Sequence, residues 1–375
     1  MSAGIQPIVM PKWGLAMQEG MVAAWHVRPG AELGAGQEIC DIETSKIANI
    51  FESPVAGTLR RIVAEPGATL PVGALIAVVA DPAVDDATID VFVAEFQARF
   101  ETEGSAEVAP EPQSIDTAAG RLRYLQLGEG KATPVLLLHG FGGDLNNWLF
   151  NQEALAEDRE VFALDLPGHG GSTKDVGDGT LVTLARAVEA FMEAVHLHHV
   201  HLVGHSMGGA VALEVAAAHP DRVRSLTLLA PAGLGPDINR AFVDDFIAQN
   251  RPRKLKQVLA HLVHDPDAVT DAMVEDVVKF KRLDGAIAAL ERLRDGILFR
   301  QPDIAAAHAK LRGLGCPIHV VWGAEDRILS AGHAMGLPSQ VTVTHLERTG
   351  HMPHMERAAE VNALIRRLVD GSHRP

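Results

Sequence analysis

Gly204-His205-Ser206-Met207-Gly208 stands between an apolar run over residues 199–203 and an alanine-rich helical pattern over 210–218. A strand that turns sharply into a helix exposes the side chain at its apex, and a serine there is placed for nucleophilic chemistry. The flanking glycines remove the Cβ atoms that would crowd such a turn. Many glycine-rich turns match G-x-S-x-G, so its weight comes from the surrounding chain. Working outward, apolar runs at 135–138, 161–165, 200–203, 226–229, 318–322 and 341–346 read as mostly parallel buried strands. Helical patterns separate them, as in an open α/β sheet. Residues from about 233 to 312 break this rhythm. They read as helical throughout and are expected to cap the carboxyl edge of the sheet.

A nucleophilic serine needs a base, an acid to orient the base, and donors for the oxyanion. Asp326 follows the strand ending Val321-Trp322-Gly323, and His351 follows the last strand in Thr349-Gly350-His351-Met352-Pro353. Ser, Asp, His is the chain order expected for a nucleophile elbow. Glu325 is the nearby rival for the acid. His139-Gly140-Phe141-Gly142-Gly143 follows the first core strand, and its glycines let backbone N–H groups face a substrate. The amides of Phe141 and Met207 are the expected oxyanion donors.

Other clusters carry less chemistry. Histidines 196, 198, 199, 201 and 205 straddle a helix end and a strand, with no carboxylate spaced to join them, so no metal site is expected. The cap carries a basic run, Arg251, Arg253, Lys254 and Lys256, with Lys279, Lys281 and Arg282 nearby. It reads either as a solvated helix face or as a docking surface for the phosphates of a substrate beside the serine.

The net charge of −15 argues against nucleic-acid and anionic-membrane partners. Ten carboxylates against one arginine between 81 and 120 supply −9 of it. Cys40 and Cys316 lie in separate strand-like runs and are expected as free thiols of a cytoplasmic protein. No window is apolar enough for a membrane span.

The first 80 residues contain a repeat. Gly20, then Pro29-Gly30-Ala31-x-Leu33-x-x-Gly36-x-x-Ile39, recurs 37 residues later as Gly57, then Pro66-Gly67-Ala68-x-Leu70-x-x-Gly73-x-x-Ile76. Each half reads as short strands punctuated by Pro-Gly turns, and neither closes a core alone. Two pseudo-symmetric sheets, a flattened barrel or sandwich, are expected. Lys46 falls at the joint between the halves.

Met10-Pro11-Lys12-Trp13-Gly14-Leu15-x-Met17-x-Glu19-Gly20, Ile42-Glu43-Thr44-Ser45-Lys46 and Ser53-Pro54-x-x-Gly57 together resemble the lipoyl/biotinyl carrier domain. Biotin carriers usually show Met-Lys-Met; Ser-Lys-Ile is characteristic of acetoin-cleaving complexes. The resemblance implies lipoate in amide linkage on Lys46. The motifs of 121–372 resemble the α/β-hydrolase fold. The expected architecture is multidomain: an all-β lipoyl domain over 1–80, an acidic linker over 81–120, and an α/β-hydrolase fold with a helical cap over 121–375.

Within the linker, Ile89, Phe92, Val93, Phe96 and Phe100 recur at helical spacing, which predicts an amphipathic helix near 88–101. Its stripe is expected to dock on the hydrolase domain, on a second copy, or on a partner enzyme. Outside it, roughly 25 residues read as flexible chain.

The whole chain resembles the dihydrolipoamide acetyltransferase component of acetoin dehydrogenase complexes. The His-x-x-x-Asp-Gly core of relatives in other 2-oxo acid complexes is absent, as is a recognisable peripheral subunit-binding domain. The resemblance implies acetyl transfer from lipoyl-Lys46 to coenzyme A. It implies two partners: a thiamine-diphosphate enzyme that cleaves acetoin, and dihydrolipoamide dehydrogenase. Two other readings stay open: an esterase or thioesterase bearing a lipoyl domain, and a swinging-arm carrier on an inactive scaffold. A homo-oligomer is compatible with the sequence.

Overall fold

The computed structural model describes residues 4–11, 13, 17–44, 48–103 and 110–371. They form two compact units, divided between residues 109 and 110.

The first unit holds β1 (Ile5–Val9), β2 (Glu19–Trp25), β3 (Glu32–Leu33), β4 (Glu38–Glu43), β5 (Ala48–Glu52), β6 (Gly57–Ile62), β7 (Thr69–Pro71) and β8 (Leu75–Ala80). They make two four-stranded antiparallel sheets, β1-β8-β6-β3 and β5-β4-β2-β7. The sequence repeat reappears in the hydrogen bonds. Leu59 N–H donates to the Ala31 carbonyl at 2.9 Å, and Val22 N–H to the Ala68 carbonyl at 3.0 Å. Both pairs shift by the same 37 positions. Gly30 and Gly67 take the turns at φ 92° and 88°, a region closed to most side chains. Ile8, Val22, Ile39, Ile42, Leu59 and Ile76 fill the space between the sheets. Cys40 is buried there, and burial pushes its thiol up to about 12.

The segment expected as a linker is instead divided between the units. Asp85 accepts the Thr88 N–H at 2.8 Å and opens α1 (Asp86–Glu103). Ile89 is fully buried against Leu75 and Val78 of β8, with Phe92, Val93 and Phe96 around it. Arg60 and Arg61 pair with Asp86 at 2.9 Å and Asp90 at 2.7 Å. The apolar stripe is therefore covered by the carrier unit itself. The reason lies in β8, Leu75-Ile76-Ala77-Val78-Val79-Ala80. Every residue of this strand is buried, so it has an apolar face beyond the sandwich core. At the other end, residues 113–117 are a strand of the second unit.

That unit comprises β9 (Gln113–Thr117), β10 (Gly120–Leu127), β11 (Val135–Leu138), α2 (Gln152–Leu155), β12 (Val161–Leu164), α3 (Leu181–Ala194), β13 (Val200–His205), α4 (Met207–Ala218), β14 (Val223–Leu229), α5 (Arg240–Ala248), α6 (Pro252–Leu259), α7 (Asp271–Lys281), α8 (Ala286–Leu293), α9 (Ile304–Gly313), β15 (Ile318–Gly323), β16 (Val341–Leu346), α10 (Pro353–Glu356) and α11 (Ala358–Gly371). One eight-stranded sheet runs β9-β10-β12-β11-β13-β14-β15-β16. The six strands read from the sequence are all parallel, and β9 and β10 add an antiparallel edge. The cap is inserted between β14 and β15. It is shorter than expected: Lys310 of α9 pairs with Glu214 of α4, so α9 belongs to the layer flanking the sheet. Among the described residues, no helix is long and apolar enough to cross a membrane.

Candidate functional site

Ser206 stands at the turn from β13 into α4 with φ 52° and ψ −117°, strained backbone for a non-glycine residue. Its carbonyl accepts the N–H groups of Gly209 at 3.0 Å, Ala210 at 3.2 Å and Ala232 at 3.0 Å, which hold the turn. A Cβ on Gly208 would sit on the carbonyl oxygens of Leu138 and His139. This absence lets α4 press its N-terminus against the end of β11, beside the loop 139–143.

Asp326 and His351 come together as the sequence suggested. His351 Nδ1 and Asp326 Oδ2 are 2.7 Å apart, with both side chains almost fully buried. Asp326 Oδ2 also accepts Trp322 Nε1–H at 3.0 Å, and Oδ1 accepts the N–H groups of Ile328 at 2.8 Å and Leu329 at 3.0 Å. Four donors fill a carboxylate's accepting positions. Because Nδ1 faces the acid, Nε2 is the nitrogen left to act as base. Glu325 points elsewhere: its carboxylate accepts the Thr349 N–H at 2.8 Å.

The loop 139–143 is pinned by two buried histidines. The Leu166 N–H donates to His139 Nε2 at 3.0 Å, and the Gly142 N–H to His169 Nε2 at 3.1 Å. Each ring accepts a backbone N–H at Nε2, so that nitrogen carries no proton, and burial holds both rings below the usual histidine range, His169 well below it. The amides of Phe141 and Met207 donate to no acceptor among the described residues. A Cβ on Gly140 would lie 3.1 Å from Ser206 Cβ, so this loop borders the nucleophile. Phe246 of α5 covers Gly142 from the cap side.

Two neighbours of the Asp326–His351 pair hold it in ways the sequence did not show. His205 Nε2–H donates to the His351 carbonyl at 2.7 Å. Glu356 accepts the N–H groups on both sides of His351, Gly350 at 3.0 Å and Met352 at 3.2 Å, and that of His264 at 2.6 Å. Burial raises the Glu356 carboxyl above its ordinary range.

The basic cap cluster is only partly as expected. Arg251, Arg253 and Lys254 are exposed at the start of α6 and have no ion-pair partner among the described residues. Lys254 borders a cavity of about 370 Å³ together with Asn239, Asp245, Gln249 and His261. Lys256 pairs with Asp271 at 2.8 Å. Lys281 is buried, donating to the carbonyls of Phe246 at 2.6 Å and Gln249 at 2.5 Å, and burial lowers its ammonium to about 8. It caps the end of α5 and is not part of any surface patch.

Lys46 lies outside the described residues. The flanking strands β4 and β5 pair with Glu43 opposite Ala48, so four residues join them. A short connection between paired strands suits a lysine that carries an acyl arm. No group of three or more His, Cys, Asp or Glu placed for a metal ion occurs among the described residues.

The alpha/beta hydrolase fold family model matches residues 133–358, and the biotin-requiring enzyme model, which covers biotinyl and lipoyl domains, matches 6–79. Solved structures share the hydrolase fold. A bacterial membrane phospholipase A superposes with TM-score 0.62 and 28% identity, covering 77% of this chain and 96% of its own. A serine hydrolase from a Cycloclasticus bacterium superposes with TM-score 0.64 and 21% identity, covering 71% and 99%. Two curated relatives match the whole architecture. The dihydrolipoyllysine-residue acetyltransferase component of the acetoin cleaving system of Pseudomonas putida is 47% identical over 96% of both chains. That of Cupriavidus necator is 43% identical over 99% of both. A chain that joins a lipoyl carrier to a hydrolase-fold unit, with relatives 47% and 43% identical over nearly its whole length, therefore belongs to the family of dihydrolipoyllysine-residue acetyltransferases of acetoin cleaving systems.

Proposed function

We propose that the chain transfers acetyl groups to coenzyme A through an acetyl-Ser206 intermediate, with Asp326 and His351 completing the triad. Lipoate on Lys46 supplies the acetyl group as a thioester. Ser206 Oγ attacks the thioester carbonyl while His351 Nε2 takes its proton. The amides of Phe141 and Met207 receive the developing oxyanion; one such donor is worth about 3 kcal/mol of transition-state stabilisation. The carbon–sulfur bond breaks, and His351 returns the proton to the departing thiolate. The thiol of coenzyme A then gives its proton to His351 and attacks acetyl-Ser206. The carbon–oxygen bond breaks and Ser206 Oγ is reprotonated.

The observation that carries this reading is the 2.7 Å contact between Asp326 and His351, which leaves His351 Nε2 free to act as the base for the strained Ser206. Arg251, Arg253 and Lys254 are the proposed contacts for coenzyme A phosphates, since all three are exposed and have no ion-pair partner among the described residues. A thiamine-diphosphate enzyme that cleaves acetoin loads the arm, and dihydrolipoamide dehydrogenase reoxidises it. The unpaired Cys40 and Cys316 fit a reducing cytoplasm.

The test supplies acetyl-dihydrolipoamide to the intact protein. With coenzyme A the product should be acetyl-coenzyme A; without it, Ser206 should be recovered acetylated by mass spectrometry. Ser206→Ala should lose both. Unchanged acetyl-coenzyme A formation by Ser206→Ala would show direct attack by coenzyme A, and rapid acetate release at saturating coenzyme A would show a hydrolase.

A further inference from the structure

His205 precedes the nucleophile, yet its ring serves a residue 146 positions away. Its Nε2 lies 2.7 Å from the carbonyl oxygen of His351. The N–H of His351 donates to the Leu262 carbonyl at 2.8 Å, and its Nδ1 faces Asp326. His205 is therefore the side chain that fixes the remaining backbone polar group of the base.

The ring is closely packed on several sides. The His351 and His354 rings lie 4.8 Å and 4.6 Å from it, and His354 is backed by Trp148 at 4.5 Å. A Cβ on Gly140 would approach His205 Nδ1 to 2.8 Å, so the oxyanion loop closes another side. Facing a carbonyl, Nε2 must carry the proton, and Nδ1 is a buried lone pair with no donor beside it among the described residues. Burial, then the neighbouring His354 and His351, holds His205 well below the ordinary histidine range. The neutral form matters chemically. A positive ring less than 5 Å from His351 would oppose the imidazolium that forms when Ser206 gives up its proton.

We infer that His205 is a positioning residue for acetyl transfer: by donating Nε2–H to the His351 carbonyl, it ties the turn that carries Ser206 to the loop that carries the base. The inference rests on the proposed roles of Ser206 and His351. The bond thereby links the positions of nucleophile and base, and a misplacement of about 1 Å at such a pair costs on the order of 100-fold in rate.

The experiment compares His205→Gln with His205→Met in the full-length protein. The two side chains have similar length, and only glutamine can donate from the position of Nε2. His351→Ala is the control for the underlying mechanism. Two readouts are taken: kcat and KM for acetyl transfer to coenzyme A, and the rate at which a fluorophosphonate labels Ser206. His205→Met should lower kcat and labelling about 100-fold with KM nearly unchanged. His205→Gln should recover at least tenfold of that loss. Equal rates for the glutamine and methionine variants, with His351→Ala inactive, would overturn the inference while leaving the triad in place. An active His351→Ala would instead remove the mechanism beneath it. Nitrogen-15 NMR of the wild-type protein decides independently of how the variants fold. At pH 7 His205 must be neutral with its proton on Nε2; an Nδ1 proton or an imidazolium overturns the inference.

Discussion

Glu325 and Asp326 are adjacent in the chain, yet only Asp326 reaches His351, at 2.7 Å, while Glu325 holds the Thr349 N–H two residues before it. One carboxylate serves the imidazole and the other the loop. Asp326→Asn should lower kcat by about 10³–10⁴-fold, because an amide cannot hold His351 in the same tautomer. Glu325→Gln keeps an oxygen for Thr349 and should leave kcat within a few-fold. Steady-state kinetics of the two variants checks the assignment; the reverse ranking would make Glu325 the acid.

The protein should lose stability in mild acid, before most carboxylates titrate. Burial holds His139, His169, His205 and His354 below the ordinary range, with His354 at about 3. A histidine depressed on folding binds its proton in the unfolded chain first. Its contribution is complete above about 6.5 and is lost as the pH falls toward the folded value. For His354 the loss runs from pH 6.5 to about 3 and amounts to something on the order of 5 kcal/mol. His354→Phe should flatten the fall of Tm with pH below 6.5. A slope unchanged from wild type would mean that His354 does not contribute.

Replacing Arg251, Arg253 and Lys254 together by alanine should raise KM for coenzyme A severalfold and spare that for acetyl-dihydrolipoamide, which carries no phosphate. All three are exposed and have no ion-pair partner among the described residues, so the change removes charge without breaking a described ion pair. Equal rises in both constants would point to damage in the cap.

The stripe of α1 should behave as core. Ile89→Ala should destabilise the carrier unit by about 2–5 kcal/mol, read as an earlier calorimetric transition of that unit in the full chain. Phe92→Asp should cost the same transition further. If that transition stayed put while co-purifying enzymes were lost, the helix would be a docking element instead.

Much of the candidate site was legible because a few chemical types in a fixed order mark it. Ser206, Asp326 and His351 each sit just past a strand, and the apolar runs that locate those strands are local. What escaped depends on distant pairings. His205 meets His351 only because β13 and the final loop converge above the sheet, which no periodicity encodes. Lys281 looked like a surface cation beside Lys279, but helix packing turned it inward onto two carbonyls. The helix α1 was visible as a stripe. The stripe was expected to dock on the hydrolase domain, a second copy or a partner enzyme, and only the two-sided burial of β8 shows where it goes.

The interlacing of the carrier sheets has a consequence for the chain as it is made. Each sheet takes two strands from either half, and Ile5 pairs with Ala80, 75 positions later. At ribosomal rates of about 5–20 residues per second, β1 waits roughly 4–15 s for its partner. During that interval the emerging first half has strand edges and no closed core. The nascent carrier stays unfolded until β8 has left the ribosome, and Ile89 seals the last apolar face only when α1 follows.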